Sequence, residues 1–509
     1  MTAVSDAQRH LSARVLAALD ARVVEASRVV LPPSVVESAL EEPAGTVTAV
    51  LLPQLVAAAR RPNGQPEAWL LFVALLGRFP TTAEFLRVMR AVELEPPDIM
   101  ATTLLAQALG SRGPYMDRGM RVVTDRPVVE VAYSAMHDHH SGIQRVVRET
   151  VPRWAAAHPL ELVAWTTTGD AFRTLTPREQ GRVLEWTGPI DDPTVDAAFP
   201  YELVVPFRTD VLLPDVPVAA QAPTLAAVAR FSGNRLGHVG YDLIPMTSAD
   251  LRPDGEASAT ASQFSVVKHS HRVACISGSA ASEFSGLVQA LPTQGLVGPE
   301  VRTVLLPAVG APLPASGGSR RQSTRPVILV TGTREPHKNQ RTVLHAAERL
   351  WREGLDFEVR QAGGEGWSDR DYAPAVERLI AARRPLTLLG RVSEQTLWDE
   401  MRAADAVAFI SLHEGYGLPI AEALSVGTPV ITTNFGSQAE VAAEGGCLLV
   451  DPRDDDDVTA ALRRIVTEPA LRASLAAEAV QRPVRTWDDY ASALWAFLVD
   501  GVTTEGGQR

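Results

Sequence analysis

A chain of 509 residues, 46% hydrophobic and 21% charged, has room for about three domains and the composition of a globular rather than a disordered protein. A net charge of -12 argues against a nucleic-acid binder working by bulk electrostatics. The two cysteines, Cys275 and Cys447, stand too far apart in sequence for a disulfide framework or a cysteine metal site. Charges interrupt every apolar stretch, and the N-terminus MTAVSDAQRHLSARVLAALD lacks a basic head and apolar signal core. A reduced, cytoplasmic compartment is therefore expected.

Residues 1–120 read as an all-α module. Segments 12–30, 47–60, 66–77, 82–93 and 98–109 carry Ala, Leu and Val at three-and-four spacing, broken by Pro32-Pro33 and Pro96-Pro97. Thr81 and Glu84 have capping-box spacing, and the chain turns between helices at Gly77–Pro80. The module carries no evident chemistry and reads as a packing or assembly element, with oligomerisation through it left open.

From Arg126 short β-branched runs alternate with amphipathic helices, the pattern of βαβ units. Strands are expected at 128–134, 161–167, 202–207, 236–243 and 272–277, with a helix at 143–156. Residues 309–326, rich in Pro, Gly and Ser, read as a linker between domains 126–308 and 327–485. The second series predicts strands at 327–332, 356–361, 386–389, 405–411 and 428–433. The fold class is thus α/β, with two doubly wound Rossmann-like domains facing a cleft. Ligands of such sheets bind beyond the carboxyl ends of the strands.

The segment FISLHEGYGLPIAEALSVGTPVITTNFGSQAE, 409–440, joins a buried strand to a helix through a glycine-bearing loop. Pro419 suits the first turn, and Gly415 and Gly417 would let a ligand approach the backbone. Glu414 in the loop and Glu422, read as lying in the first helical turn, can face one crevice. Carboxylates accept two hydrogen bonds at once, which suits vicinal sugar hydroxyls. In VILVTGTREPHKNQRTVLHAAERL, 327–350, a strand ends at Thr331-Gly332-Thr333, and Arg334 and Lys338 follow in the loop. Of 48 basic residues only Lys268 and Lys338 are lysines, which marks Lys338 as a compact point charge able to meet a diphosphate.

The spacing from Glu414 to Glu422 in HEGYGLPIAEALSVGTPVI resembles the E-x7-E signature of the retaining glycosyltransferases of family 4, which have the GT-B fold. TGTREPHKN is similar to their diphosphate loop in a variant of mannosyltransferase-like members. Residues 388–412 resemble the segment before the signature, and TWDDYASALWAFL, 486–498, resembles the final helix that crosses back to the first domain, here 486–502. The resemblance implies that Glu414 contacts the donor sugar, Glu422 the ribose, and Arg334 and Lys338 the diphosphate. Gly332 and Thr333 would lie beside the donor. Backbone amides of Gly415, Tyr416, Gly417 and Leu418 would hold sugar or phosphate, with Arg391 and Val392 near the nucleobase. HDHHSGIQRVVRE, 137–149, resembles the GIQR-type loop of polysaccharide glycosyltransferases, in which a glycine, here Gly142, admits the donor phosphate or acceptor. VGYDLIPM, 239–246, resembles a segment with histidine where this chain has Tyr241. Asp242 beside it either orients the acceptor hydroxyl or caps the Ile244-Pro245 turn.

The function so implied is retaining, metal-independent transfer of a hexose from a nucleotide sugar, GDP-mannose favoured, to a glycan or lipid-linked acceptor. It belongs to polysaccharide biosynthesis, requires no cofactor, and places the chain at most peripherally on a membrane. Another GT-B enzyme, such as a phosphorylase or sugar-nucleotide epimerase, and a non-catalytic nucleotide-sugar-binding scaffold are the alternatives. Asp369-Arg370-Asp371 spells a metal motif of a different fold and reads as a surface loop; Asp454–Asp457 suit a helix N-terminus. His137, His139 and His140 have no cysteine or patterned carboxylate to complete a metal site, and no metal is expected.

Overall fold

The computed structural model describes residues 6–43, 45–111, 113–138, 141–186, 200–307, 325–367 and 372–501. Six helices open the chain: Asp6–Val30, Pro33–Leu40, Val47–Ala59, Gln65–Leu76, Thr82–Leu94 and Pro97–Gly110. The Thr81 hydroxyl accepts the Glu84 N–H while the Glu84 carboxylate accepts the Thr81 N–H, the reciprocal cap its spacing predicts.

The helices do not form a body of their own. Leu19, Val23, Leu51, Trp69, Phe79 and Phe85 share one continuous core with Val128, Trp165, Phe172 and Val204 of the first sheet. Phe79 is the junction, with ring centroids 5.3 Å from Trp69 and 5.2 Å from Phe172. Arg22, fully buried, donates to the carbonyls of Ala74, Met116 and Arg118 at 2.7, 2.8 and 2.7 Å, tying the first helix to the start of the sheet. Such a buried cation is tolerable because its fork of donors meets three acceptors.

The first sheet has nine strands: β1 (Met120–Val123), β2 (Val128–Glu130), β3 (Glu161–Trp165), β4 (Phe172–Thr174), β5 (Leu203–Pro206), β6 (Asp210–Leu213), β7 (Arg235–Gly240), β8 (Arg272–Cys275) and β9 (Glu300–Thr303). Their order is β1-β5-β4-β3-β2-β6-β7-β8-β9, parallel except where β4 runs against β3 and β5. The second has six strands, all parallel: β10 (Val327–Thr331), β11 (Glu358–Ala362), β12 (Leu386–Gly390), β13 (Ala406–Phe409), β14 (Val430–Thr433) and β15 (Cys447–Val450), in the order β12-β11-β10-β13-β14-β15. This is the doubly wound pair of sheets expected. Strands β1, β4, β6, β9 and β15, of three or four residues each, add to the expected set. Runs so short carry no readable period.

The predicted strand 128–134 stops at Glu130, and Ala132–Met136 is helical instead. Glu130 explains the switch, since its carboxylate accepts the Ala132 N–H at 2.7 Å and turns the chain. The helix Trp487–Trp495 lies against the helix Gly142–Ala157: Trp154 Nε1 donates to Ala491 O at 2.8 Å, and His158 stacks on Trp495 at 3.9 Å. Residues 309–324, Asp369–Asp371, His139 and His140, on which earlier expectations bear, lie outside the described residues.

Candidate functional site

The carboxyl ends of the two sheets face one another across a cavity of about 730 Å³. Its second-domain wall is the loop after β13. The carbonyl of Ser411 accepts from Thr433 Oγ1 and Gln438 Nε2, both at 2.8 Å, and Leu412 N donates to His337 O at 2.7 Å. Ser437 Oγ holds the Glu414 carbonyl at 2.7 Å. Gly417, at φ 100°, reverses the chain into the helix Leu418–Ser425.

The cavity is lined by Lys338, Glu414, Gly415, Tyr416, Gly417, Leu418 and Glu422, by Gly332 and Val392, and across the seam by Gly142, Tyr241 and Asp242. Twelve of the sequence-predicted residues are thus brought together. Thr333, Arg334 and Arg391 are not among its lining. Arg334 turns to a separate groove, where Nη2 lies 3.2 Å from Glu365 and the guanidinium sits over the Tyr372 ring at 5.7 Å. The backbone there pairs with the segment after β11, Arg334 N donating to Gly364 O at 3.1 Å beside a parallel bridge to Glu365.

Glu414 accepts a hydrogen bond from Lys338 Nζ at 2.7 Å. Burial, the largest single influence, would raise its carboxyl, but Lys338, His337 and the Ser411 hydroxyl together outweigh it and hold the group below its ordinary value. Lys338 closes a short 3-10 turn, Pro336–Lys338, and Asn339 at φ 52° then starts the helix Gln340–Arg352. Gln340 pins this loop by donating to Gly332 O at 2.9 Å while accepting from Gln361 Nε2 at 2.9 Å.

Glu422 is the fifth residue of its helix, not part of the first turn, and is buried. It forms an ion pair with Arg145 of the opposite domain. Here burial prevails: the carboxyl is pushed above its ordinary value, with Arg145 opposing. Arg145 was missed by sequence reading, although it stands three residues after Gly142, on the same side of the helix.

Gly415 departs from expectation too. A Cβ there would lie 2.7 Å from the Tyr241 carbonyl, so the glycine admits the opposite domain as well as lining the cavity. Its own carbonyl accepts from Ser277 Oγ at 2.6 Å. The Tyr241 hydroxyl donates to Pro214 O at 2.7 Å and is buried. Asp242 Oδ1 accepts the Ile244 N–H at 3.1 Å, capping the turn, while the residue also lines the cavity; desolvation raises it to about 6. His238 is buried in β7 beside Ser270 at 2.6 Å.

Two further bridges cross the seam. His413 Nε2 lies 2.9 Å from Glu283, with Nδ1 2.8 Å from Ser248 Oγ. Arg252 donates to Glu335 at 2.9 Å. Their signal is tertiary, since each partner comes from a different domain. Among the described residues no three His, Cys, Asp or Glu side chains converge as metal ligands, and no helix is long and apolar enough to cross a membrane.

Residues 316–482 match the family model described as Glycosyl transferases group 1. The serotype-specific mannosyltransferase WbdA of Escherichia coli is 25% identical over 340 residues, 63% of this chain and 39% of that protein. The O-antigen chain mannosyltransferase B of Escherichia coli is 35% identical over 146 residues, 28% of this chain and 38% of that protein. The chain therefore spans about two-fifths of the length of these curated relatives. Among solved structures, α,α-trehalose 6-phosphate synthase from Burkholderia multivorans superimposes with TM-score 0.50 at 14% identity, covering 76% of this chain and 100% of that one. Anabaena Alr3699/HepE in complex with UDP and glucose gives TM-score 0.50 at 13% identity, covering 73% and 99%. The architecture, two facing and largely parallel α/β sheets behind a helical region, is that of the GT-B fold.

Proposed function

We propose that the chain is a retaining glycosyltransferase that takes a hexose, mannose favoured, from a nucleoside diphosphate sugar to a hydroxyl of a glycan or lipid-linked acceptor. The observation that carries this reading is the Lys338–Glu414 pair at 2.7 Å beside Glu422, in one interdomain cavity and within the segment that matches the group 1 model. The two Escherichia coli relatives, both mannosyltransferases by name, support the sugar.

In this reading Glu422 takes the ribose hydroxyls, and Glu414 the hydroxyls of the transferred sugar. The acceptor hydroxyl attacks the anomeric carbon on the face from which the diphosphate leaves, and the departing phosphate oxygen takes its proton. Negative charge grows on the diphosphate as the bond breaks, and the Lys338 ammonium stabilises it in place. The contact of Gly415 with Ser277 and Tyr241 joins the two domains at one edge of the cavity, and fuller closure on the donor would exclude water. Arg334 would join Lys338 by turning inward from its groove.

The test is transfer from GDP-mannose, with UDP-, ADP- and dTDP-hexoses in parallel, to glycan and lipid-linked acceptors in EDTA. Turnover of one nucleotide family with the donor's anomeric configuration preserved is expected. Inverted product, or turnover only with added metal, would contradict the mechanism; no turnover would remove the activity.

A further inference from the structure

The charge inventory of the cavity poses a problem for any anionic ligand. Among its described lining residues are three cations, Arg145, Arg252 and Lys338, against five carboxylates. Every cation is already engaged. Lys338 is on Glu414, Arg252 is held by Glu256 and Glu335 at 2.9 Å each, and Arg145 is on Glu422. A nucleoside diphosphate, with two or more negative charges, is better neutralised if one of these cations exchanges its carboxylate for the phosphates.

The Arg145–Glu422 pair is built for such an exchange. Ser141 caps the helix Gly142–Ala157, whose first turn abuts the start of the Leu418–Ser425 helix. At Gly142 the space for a Cβ is only 3.2 Å from Leu418 Cδ1. The side chain three residues on is thereby delivered across the seam to Glu422, a residue 277 positions away. Glu422 is only 9% exposed, so its charge requires a partner of some kind. Vicinal ribose hydroxyls can supply that partner as donors, which releases the guanidinium. Its planar fork then has an acceptor of matching geometry in the phosphate oxygens of the same ligand.

We propose that Arg145 is a donor-binding residue that occupies the ribose seat on Glu422 in the empty cleft and moves to the diphosphate when the nucleotide enters. The proposal rests on the reading of the cavity as a nucleoside-diphosphate-sugar site. It goes beyond that reading by making ribose recognition in one domain and diphosphate neutralisation from the other a single coupled event. A nucleoside alone must break the ion pair without offering the guanidinium a new partner, whereas a nucleoside diphosphate satisfies both groups. The cation also comes from the first domain, so the diphosphate is fully neutralised only with the domains closed.

Calorimetric titration of the full chain with GDP, GMP and guanosine, and with the uridine series in parallel, separates the outcomes. Arg145→Ala should weaken the diphosphate by about tenfold to a hundredfold and leave the nucleoside unchanged or tighter. Because Arg145→Ala strands a buried carboxylate, Arg145→Ala/Glu422→Gln serves as the second variant. It should regain the wild-type melting temperature without regaining preference for diphosphate over nucleoside. A purely structural Arg145 would lower affinity for diphosphate, monophosphate and nucleoside equally, which overturns the proposal. Diphosphate affinity unchanged in Arg145→Ala also overturns it while leaving the donor-site reading intact. Wild-type protein that binds neither GDP nor UDP overturns the donor-site reading itself, and this proposal with it.

Discussion

Lys338 Nζ lies 2.7 Å from Glu414 Oε1, and the two residues come from loops after different strands, β10 and β13, that are neighbours in the second sheet. The pairing of adjacent parallel strands places their carboxyl ends side by side, so a point charge from one loop meets a carboxylate from the next. This arrangement neutralises Glu414 when the cavity is empty and leaves a cation beside any leaving group that enters.

Removing that cation should separate chemistry from folding. Lys338→Ala is expected to lower kcat by about 100- to 1,000-fold, the loss typical of one preorganised charge-stabilising group. It also leaves Glu414 buried without its ammonium, so some stability is lost. Lys338→Ala/Glu414→Gln should recover the melting temperature but not the turnover. Steady-state kinetics and thermal unfolding on the same samples check both.

Gly415 gives a steric prediction. A methyl group at this position would lie 2.7 Å from the Tyr241 carbonyl and 3.0 Å from Asp242 Oδ2, and backbone cannot yield as a flexible side chain does. Gly415→Ala should hold the domains apart and reduce kcat/KM by about 100-fold through misplacement alone. Far-ultraviolet circular dichroism should remain that of the parent, and small-angle scattering should show a larger radius of gyration.

The helical preface should prove inseparable from the first sheet. Phe79 is 1% exposed and touches aromatic rings on both sides of the junction. Phe79→Ala is expected to cost about 3–5 kcal/mol in denaturant unfolding. Deleting residues 1–118 should yield an insoluble chain, because the apolar face of β1, β3, β4 and β5 would be uncovered. A soluble, active truncation would contradict this.

A pH dependence follows from Glu130. Burial first, and Asp215 nearby second, push its carboxyl from 4.5 up to about 8. The folded chain then binds a proton that the unfolded chain releases, so this group's contribution to stability is full below about 4.5 and lost as pH rises to about 8. Glu130→Gln, which cannot lose a proton, should remove that decline. Comparing urea midpoints of the two proteins from pH 5 to 9 measures it, and parallel curves would contradict the assignment.

Much of this was legible in the sequence because the second sheet is wholly parallel and covered on both faces. Its strands read as apolar runs such as Val327–Thr331 and Ala406–Phe409, and the turns between them carry the chemistry. Glu414 and Glu422 could therefore be located from a glycine-bearing strand–loop–helix segment, and Lys338 from the scarcity of lysine and its place in a strand-to-helix loop. Arg334 could not, since a loop residue's spacing says nothing of which side of the loop it takes. Arg145, Arg252, Glu283 and the Ser248 contact of His413 were illegible for a different reason. Each acquires its role only where two domains, distant in sequence, meet across the seam.

The central claim, that the cavity receives a nucleoside diphosphate sugar through Glu422 and its neighbours, is tested most directly by thermal shift against GDP-, UDP-, ADP- and dTDP-hexoses in EDTA. A ligand at a hundred times its Kd should add about 2.7 kcal/mol to stability. The account predicts a rise in Tm with one nucleotide family, abolished in Glu422→Ala. No rise with any family, or an equal rise in Glu422→Ala, would contradict it.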